Sequence, residues 1–383
     1  MAANSLVRTG TLAGAGLLAL AGSVLPAQAS PATPARWHVV ATVTSGKASV
    51  RLDGVIAFSA RNAWTVGAAQ ADASVAARPV AANWNGHSWR HKTLPAKAMA
   101  NLGRKAESFG IAGTSGSNVW IYSAAGWARW NGRSWLSGRF PVAVRHESSQ
   151  QGQVLAFSSR NVWLIGEASV GTRQVPFARR YDGRRWHVLP APRITGFLVS
   201  GASPSAICVV NGQFGAAVSA TTAMECWNGH RWAGVALPVR LDRQHAIIGS
   251  IYVRSARDVW VGGGSPAASG TVGVAAHWRN GKWSVRTLPA VATLGTDVLN
   301  TLAPDGHGGL WADGECDCGG PAWRLWHYNG HTWAGPTLPA IGGVYGLIAG
   351  FAAVPHTTST WAVGTRGTAK GSAGVVLAYG RTP

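Results

Sequence analysis

Three carboxylates are the residues of this sequence that could do acid–base chemistry. Asp53, Glu107 and Asp297 each fall where the strand pattern predicts the start of an innermost strand of a repeat. Glycoside hydrolysis needs two carboxyls a few ångströms apart, one of them with a raised pKa. The alternative is that each acid begins a strand and neutralises a nearby arginine. We favour that alternative, because neither spacing nor neighbours mark out an acid–base pair.

Motifs of the common hydrolase and phosphate-binding classes are missing from the sequence. It contains no nucleophile elbow, no phosphate-binding glycine loop and no His-Glu-x-x-His metalloprotease motif. The sequence therefore favours a protein without catalytic activity and predicts no cofactor.

Four cysteines fall into two pairs, which an exported chain would be expected to oxidise. Cys208 and Cys226 flank one predicted hairpin, which favours a cross-strand disulfide. Cys316 and Cys318 are predicted to form a tight Cys-x-Cys bond. Acids also surround the second pair, at Asp313, Glu315 and Asp317. They make a metal site the alternative there, but no further Cys/His pair at zinc-like spacing supports it, so we predict no metal.

Two tryptophans could contact a sugar. Most of the 20 tryptophans occupy positions that repeat along the chain, where packing explains them. Trp127 and Trp323 lie at odd offsets from Trp130 and Tyr328, so a strand turns them to the opposite face of its sheet. There they could stack on a sugar ring. Packing against a neighbouring repeat is the alternative, and we favour it.

The 383-residue chain is strongly basic. It has 34 Lys and Arg against 14 Asp and Glu, which gives a formal net charge of +20. Such a charge attracts acidic wall polymers, anionic lipid or nucleic acid in a salt-dependent way. Compositional bias is the alternative source of the charge. Basic side chains in the predicted connections between repeats are candidate ligand contacts, namely Arg104, Lys105, Arg240 and Arg243.

A recurring six-residue frame positions these residues. The stretch from Trp130 to Trp135 recurs as aromatic-x-Gly-x-x-Trp roughly every 50 residues. Its Asn131-Gly132 pair predicts a tight β-hairpin turn, because both central residues tolerate positive φ. The two flanking aromatics then mark adjacent strands.

Each repeat contains four predicted strands, and six repeats are complete. The seventh stops at Tyr379-Gly380-Arg381 and lacks its last strand. Trp37-His38-Val39-Val40, near the start of the chain, has the pattern of that missing strand. The sequence therefore predicts an all-β fold, a seven-bladed β-propeller of four-stranded blades whose ring is closed by the N-terminal strand.

One face of such a propeller carries the turns between first and second strands and between third and fourth strands. Basic residues recur in those turns, so we expect a basic ring on this face. Its predicted members are Arg61, Arg133, Arg160, Arg184, Arg185, Arg231, Arg257 and Lys282.

Residues 1–29 have the pattern of a secretory signal peptide. Arg8 precedes an apolar run from Leu12 to Leu25, and Ala27-Gln28-Ala29 forms a small-x-small cleavage site. The run is too short and too rich in glycine for a transmembrane anchor. We expect a leader at 30–35 and the propeller at 36–383, in a secreted, monomeric protein whose mature chain has no transmembrane segment.

Several repeats resemble known propeller repeats. The order hydrophobic-Trp-hydrophobic-Gly-Gly, then an aromatic before a glycine turn, then Trp and Leu-Pro, resembles the kelch-type repeat. The turn sequences at 86–89, 132–135 and 330–333 are similar to the Asp-box turn of sialidase-like propellers. The segments 255–262 and 277–283 resemble repeats of secreted bacterial proteins. These resemblances imply the propeller fold and carry little information about function.

Together these features predict an exported, non-enzymatic binding or interaction propeller. Its expected partner is an anionic polymer or cell-wall glycan, and a protein partner is a further alternative. The competing hypothesis is a carbohydrate-active hydrolase or lyase. Its site would lie at the channel mouth and use Asp53, Glu107 and Asp297.

Overall fold

The computed structural model describes most of the chain from residue 35 onward. The described residues are 35–71, 75–103, 106–212, 223–238, 241, 246–267, 270–289, 298–315, 323–335, 346–369 and 371–383. Several predictions concern residues outside these ranges: the signal peptide, Arg104, Lys105, Arg240, Arg243, Asp297, Cys316 and Cys318.

Seven antiparallel sheets of four strands each form the blades, as predicted. Blade 1 contains β2 (Ser49–Ser59), β3 (Asn62–Gln70), β4 (Arg78–Trp84) and β5 (Trp89–His91). Blade 2 contains β6 (Gly110–Ser115), β7 (Asn118–Tyr122), β8 (Gly126–Trp130) and β9 (Trp135–Arg139). Blade 3 contains β10 (Ser149–Ser158), β11 (Asn161–Val170), β12 (Arg173–Tyr181) and β13 (Trp186–Leu189). Blade 4 contains β14 (Phe197–Ser203), β15 (Ala206–Asn211), β16 (Ala223–Trp227) and β17 (Trp232–Ala236).

The remaining blades follow the same order. Blade 5 contains β18 (Ile247–Ser255), β19 (Asp258–Ala267), β20 (Gly270–Arg279) and β21 (Lys282–Thr287). Blade 6 contains β22 (Val298–Pro304), β23 (Leu310–Glu315), β24 (Trp323–Tyr328) and β25 (Trp333–Ala334). Blade 7 contains β26 (Gly346–Ala353), β27 (Thr360–Thr368), β28 (Gly371–Tyr379) and β1 (Trp37–Val43). A short helix, α1 (Ala96–Leu102), lies in the connection from blade 1 to blade 2.

The first strand of each blade lines the axis of the ring. These strands contact one another in the order β2, β6, β10, β14, β18, β22, β26 and back to β2. Each blade therefore runs from axis to rim in sequence order, except that the rim strand of blade 7 comes from the N-terminus.

Ring closure by the N-terminal strand is confirmed. Strand β1 pairs antiparallel with β28, so that Trp37 lies opposite Tyr379 and Val43 lies opposite Gly374. The same aromatic pair spans the third and fourth strands of other blades, for example Trp278 opposite Trp283. The indole of Trp37 is only 2% exposed. It fills the position in blade 7 that the fourth-strand tryptophan occupies in other blades.

Tryptophans of the second strands fill the spaces between blades. The fully buried ones include Trp64, Trp120, Trp311 and Trp361. Trp361 of blade 7 packs edge-on against Trp84 and Trp89 of blade 1, with both ring centroids 5.2 Å away. Edge-on contacts of this kind are favoured by the aromatic quadrupole. These indoles supply the core that narrow, glycine-rich strands cannot.

The glycine three residues after a second-strand tryptophan is a packing requirement. A Cβ atom on Gly67 would lie 1.9 Å from the carbonyl oxygen of Arg51, and one on Gly166 would lie 1.9 Å from that of Gln151. The first strand of the blade thus approaches the second so closely that no side chain fits. This contact explains the Trp-x-x-Gly spacing of the repeats.

In blades 5 and 6 a histidine of the third strand stacks on the second-strand tryptophan. Trp260 lies opposite His277 in the sheet, and the two rings stack with centroids 3.9 Å apart. In blade 4 the corresponding pair is Cys208 opposite Cys226, and these residues form the predicted disulfide. The disulfide therefore replaces an aromatic stack at the same register position.

The turn prediction was correct in position and wrong in type for most blades. In blade 2 the aromatics pair as predicted, but the loop has four residues, and Gly132 alone takes positive φ, at 95°. The side chain of Asn131 closes the loop by accepting hydrogen bonds from the backbone N–H groups of Arg133 (2.9 Å) and Ser134 (2.8 Å). Only the Asn280-Gly281 turn, among the described hairpins of this frame, has both central residues at positive φ.

Candidate functional site

The turn face of the propeller carries the predicted basic ring. We define it by Arg61, Arg133, Arg160, Arg184, Arg185, Arg231, Arg257 and Lys282, all of which are exposed. Side-chain oxygens of the turns hold the backbone of most of these residues. Asn or Asp at the first loop position accepts the N–H groups of Arg133, Arg184, Arg185 and Arg231, and serine hydroxyls accept those of Arg61, Arg160 and Arg257. None of these side chains has a carboxylate at salt-bridge distance among the described residues.

Seven of the described carboxylates bind other partners, beginning with Asp182 on the turn face. Asp182 accepts hydrogen bonds from the backbone N–H groups of Arg185 (2.9 Å) and Arg184 (2.8 Å) and from the His187 ring (2.6 Å). These bonds, led by the one from Arg185, hold the pKa of Asp182 well below its usual range. The negative charge of Asp182 therefore stabilises the turn that contains it.

Asp258 and Asp305 bind histidines of the neighbouring strand. Asp258 contacts the His277 ring at 2.9 Å, and Asp305 contacts the His327 ring at 2.9 Å. Burial raises the pKa of Asp305, but bonds from His307 N–H, His327 and Gly309 N–H outweigh it, so the pKa lies below its usual range. Both acids orient the histidines that stack on the core tryptophans.

Three glutamates bind backbone N–H groups of the connections between blades. Glu147 accepts from Ala143 (2.9 Å) and Val144 (3.0 Å). Glu225 accepts from the N–H of Arg193 at 2.7 Å, and Glu167 accepts from the N–H of Gly196. These three acids therefore stabilise the connections on the loop face, opposite the turn face.

Of the predicted catalytic acids, Asp53 and Glu107 lie within the described residues and Asp297 lies outside them. Asp53 accepts hydrogen bonds from Arg51 Nε (2.6 Å) and from the N–H of Phe109 (3.0 Å). Burial raises the pKa of Asp53, although both hydrogen bonds act in the opposite direction. Arg51 also donates to the backbone carbonyl of Glu107, whose side chain is exposed. Asp53 and Arg51 thus fasten blade 1 to the start of blade 2.

Of the two predicted sugar-stacking tryptophans, Trp127 packs between blades. Trp127 lies on the opposite face of its sheet from Trp130, as expected, and packs in the space between blades 2 and 3. Its ring centroid is 4.8 Å from that of Trp120 and 6.0 Å from that of Tyr181, and its indole nitrogen is buried. Trp323 begins β24, where it pairs with Glu315.

A cavity of about 510 Å³ lies where blades 2, 3 and 4 meet on the loop face. Its lining includes Tyr122 of blade 2, Gln151 and Gln153 of β10, Glu167 of β11 and Phe197 of β14. The Glu167 side chain is buried, and burial raises the pKa of its carboxyl above the usual range while the Gly196 N–H acts against this.

Sequence reasoning missed Glu167. The available signal was an acid within the apolar second strand of its repeat, where the residues that precede it from Val162 to Gly166 are buried. A buried charge needs a partner or a function. The cavity itself could not be anticipated, because its lining comes from three separate repeats.

Comparison with known proteins shows the fold alone. No protein-family model matches this sequence, and no curated protein matches it. A puromycin-hydrolysing peptidase of Mycobacterium tuberculosis is 12% identical over 86% of this chain and 49% of its own, with a TM-score of 0.52. The β-propeller domain of the Trilobed protease from Pyrococcus furiosus is 10% identical over 90% of this chain and 95% of its own, with a TM-score of 0.50.

A lectin also matches at lower similarity. The six-bladed propeller lectin of Aleuria aurantia, which recognises fucose, is 11% identical over 80% of this chain and 97% of its own, with a TM-score of 0.39. All of these likenesses are at low sequence identity, so function has to be argued from the residues of this chain.

Proposed function

We propose that this protein is a non-enzymatic binding module for an anionic polymer, with an acidic cell-wall glycan as its partner. The observation that carries the proposal is the separation of charge within the fold. Asp53, Glu147, Glu167, Asp182, Glu225, Asp258 and Asp305 bind backbone N–H groups, histidines or Arg51. The side chains of the basic ring on the turn face are exposed, and none has a carboxylate at salt-bridge distance among the described residues. A polymer with regularly spaced anionic groups can neutralise such a surface.

The geometry of the ring suits an extended polyanion. Its members come from turns at the same end of blades 1 to 5, so they share one face. Each contact releases counterions from the polymer, which makes affinity fall steeply with salt. A single small anion would engage only one or two of these side chains.

We also propose that the protein works outside the cytoplasm. The signal-peptide pattern at residues 1–29 and the Cys208–Cys226 disulfide both support this location. No helix among the described residues has the length and hydropathy needed to cross a bilayer. Recovery of the oxidised chain from culture medium, with its new N-terminus at Ser30, is the expected result.

The test of polymer binding compares two sets of substitutions with equal change in charge. One variant carries R133Q, R184Q and R231Q on the turn face. Its matched control carries R78Q, R145Q and R173Q, which are exposed residues of the loop face. Retention on purified wall polysaccharide, DNA and anionic vesicles is measured from low to high salt.

The turn-face variant should bind the wall polymer more weakly, and its salt slope should fall by about two to three. The loop-face control should behave like the wild type. Equal effects of the two variants, a preference for DNA or vesicles, or no retention at low salt would contradict the proposal.

A further inference from the structure

The cavity between blades 2, 3 and 4 differs from the rest of this basic protein in its chemistry. Among the described residues that line it, none is Lys, Arg or His, and Glu167 is the one acid. It lies on the loop face, away from the basic ring. At about 510 Å³ it falls within the range of cavities that hold small ligands, roughly 300 to 1,000 Å³.

Glu167 presents a free acceptor to this cavity. Its side chain is 5% exposed, and Oε1 accepts the N–H of Gly196. Within the described residues, Oε2 of Glu167 has no hydrogen-bond partner, and it retains some contact with solvent. Burial of a carboxylate costs free energy when its hydrogen bonds to water are not replaced. Here the protein supplies a hydrogen bond to only one of the two carboxylate oxygens.

The other lining groups form an amphipathic surface. Gln151 and Gln153 project exposed amides from β10, and each amide can both donate and accept. Tyr122, Phe197 and Leu198 supply apolar area. Apolar area beside convergent amide and carboxylate groups fits the two kinds of surface that a sugar ring presents, C–H faces and hydroxyl edges.

Charge favours an uncharged ligand over an ion. An anion would meet the Glu167 carboxylate without any cation in the lining. A cation would have to enter through the field of a protein with a net charge of +20. The raised pKa of Glu167 further weakens its attraction for a cation.

We propose that this cavity binds an uncharged saccharide of one or two rings, whose hydroxyls hydrogen-bond to Glu167, Gln151 and Gln153. This site goes beyond the proposed polymer binding, since it lies on the other face and uses no basic residue. Its affinity should therefore be nearly independent of salt, whereas polymer binding should not be.

The experiment uses the full mature chain and methyl glycosides of glucose, galactose, mannose and N-acetylglucosamine. Binding is detected by saturation-transfer NMR and quantified by calorimetry at low and high salt. Tetramethylammonium and sulfate serve as charged probes. At least one glycoside should bind, and E167Q should weaken it about 10- to 100-fold, the loss expected for hydrogen bonds to a charged group.

E225Q is the matched control. Glu225 is also a buried carboxylate that accepts a backbone N–H from the connection between blades 3 and 4, but it does not line the cavity. It should leave sugar affinity unchanged. If E167Q fails to fold, Q153A replaces it, because the exposed Gln153 side chain can be removed without loss of the core; it too should weaken binding.

Four outcomes would overturn the proposal. The first three are the absence of glycoside binding at about 10 mM ligand, equal loss of binding in E167Q and E225Q, and binding that Q153A leaves unchanged. Saturation of the cavity by tetramethylammonium or sulfate in place of a sugar would also overturn it. None of these outcomes affects the salt-dependent polymer binding, which the turn-face variant tests separately.

Discussion

Replacement of Trp37 by alanine tests whether a buried indole closes the ring. The Trp37 ring lies 4.9 Å from Trp311, 5.4 Å from Tyr379 and 6.0 Å from Phe351, and it is 2% exposed. Truncation of a buried tryptophan typically costs about 3 to 5 kcal/mol. The indole nitrogen of Trp37 is buried without a partner, so its removal also relieves an unsatisfied donor. We therefore expect W37A to lower the free energy of unfolding by about 3 kcal/mol, near the lower end of this range.

This loss can be measured as a change in Tm. Residues 35–383 form one compact unit, and at an unfolding entropy of about 2.1 cal/mol/K per residue the loss corresponds to about 4 °C. Circular dichroism gives Tm for W37A and for V39A, a control on the same strand whose side chain is 36% exposed. V39A should lower Tm by about 1 °C or less. Equal shifts in the two variants would refute the claim that the indole, rather than strand pairing alone, secures the ring.

Three further changes test the blades and their acids. C208A should lower the free energy of unfolding by about 3 kcal/mol, because the disulfide closes a loop with a sequence separation of 18. Reductant should lower the Tm of the wild type and leave that of C208A unchanged. A shift in both proteins would refute the disulfide as the origin of the effect. G166A should lower the urea midpoint by an amount equivalent to about 1 to 3 kcal/mol, whereas G234A, whose new Cβ meets nothing within 4 Å, should not. The lowered pKa of Asp305 stabilises the fold above the unfolded value near 3.8, and that contribution is lost as pH falls through the folded value. D305N should therefore flatten the fall of Tm below about pH 4, and an unchanged acid limb would show that Asp305 contributes nothing there.

The blade count and the closing strand could be predicted because the aromatics recur at fixed register positions. The segment that begins at Trp37 has the pattern of a fourth strand, and the repeat that includes Tyr379 has only three strands. Placing both in one sheet closes the ring, as observed. The turn type could not be read in the same way. Asn131 and Asn280 both precede a glycine, yet only Asn280 takes positive φ. The type of turn depends on how many residues lie between the last paired residues of the two strands. That number is four in blade 2 and two in blade 5, and the local sequence does not determine it.

The sites were harder to predict than the fold for a physical reason. Strand spacing locates a residue within its own blade, whereas a cavity depends on which residues of neighbouring blades meet. Asp53 was chosen from its predicted position at the start of a strand. Its hydrogen bonds to Arg51 and to the N–H of Phe109 could not be predicted from that position. Glu167 was overlooked because it lies in a core strand, and the cavity it faces also needs Tyr122 and Phe197 from two other blades.

The disulfide of blade 4 makes one sector of the ring depend on its chemical surroundings. In blades 5 and 6, the synthesised chain already contains the tryptophan and histidine that stack across the second and third strands. At the same position blade 4 holds two small thiols until an oxidant joins Cys208 to Cys226. Each blade packs on two neighbours, so a blade without its internal support weakens both adjoining interfaces. The full stability of this sector therefore depends on an oxidising environment, in which Cys208 and Cys226 can be joined.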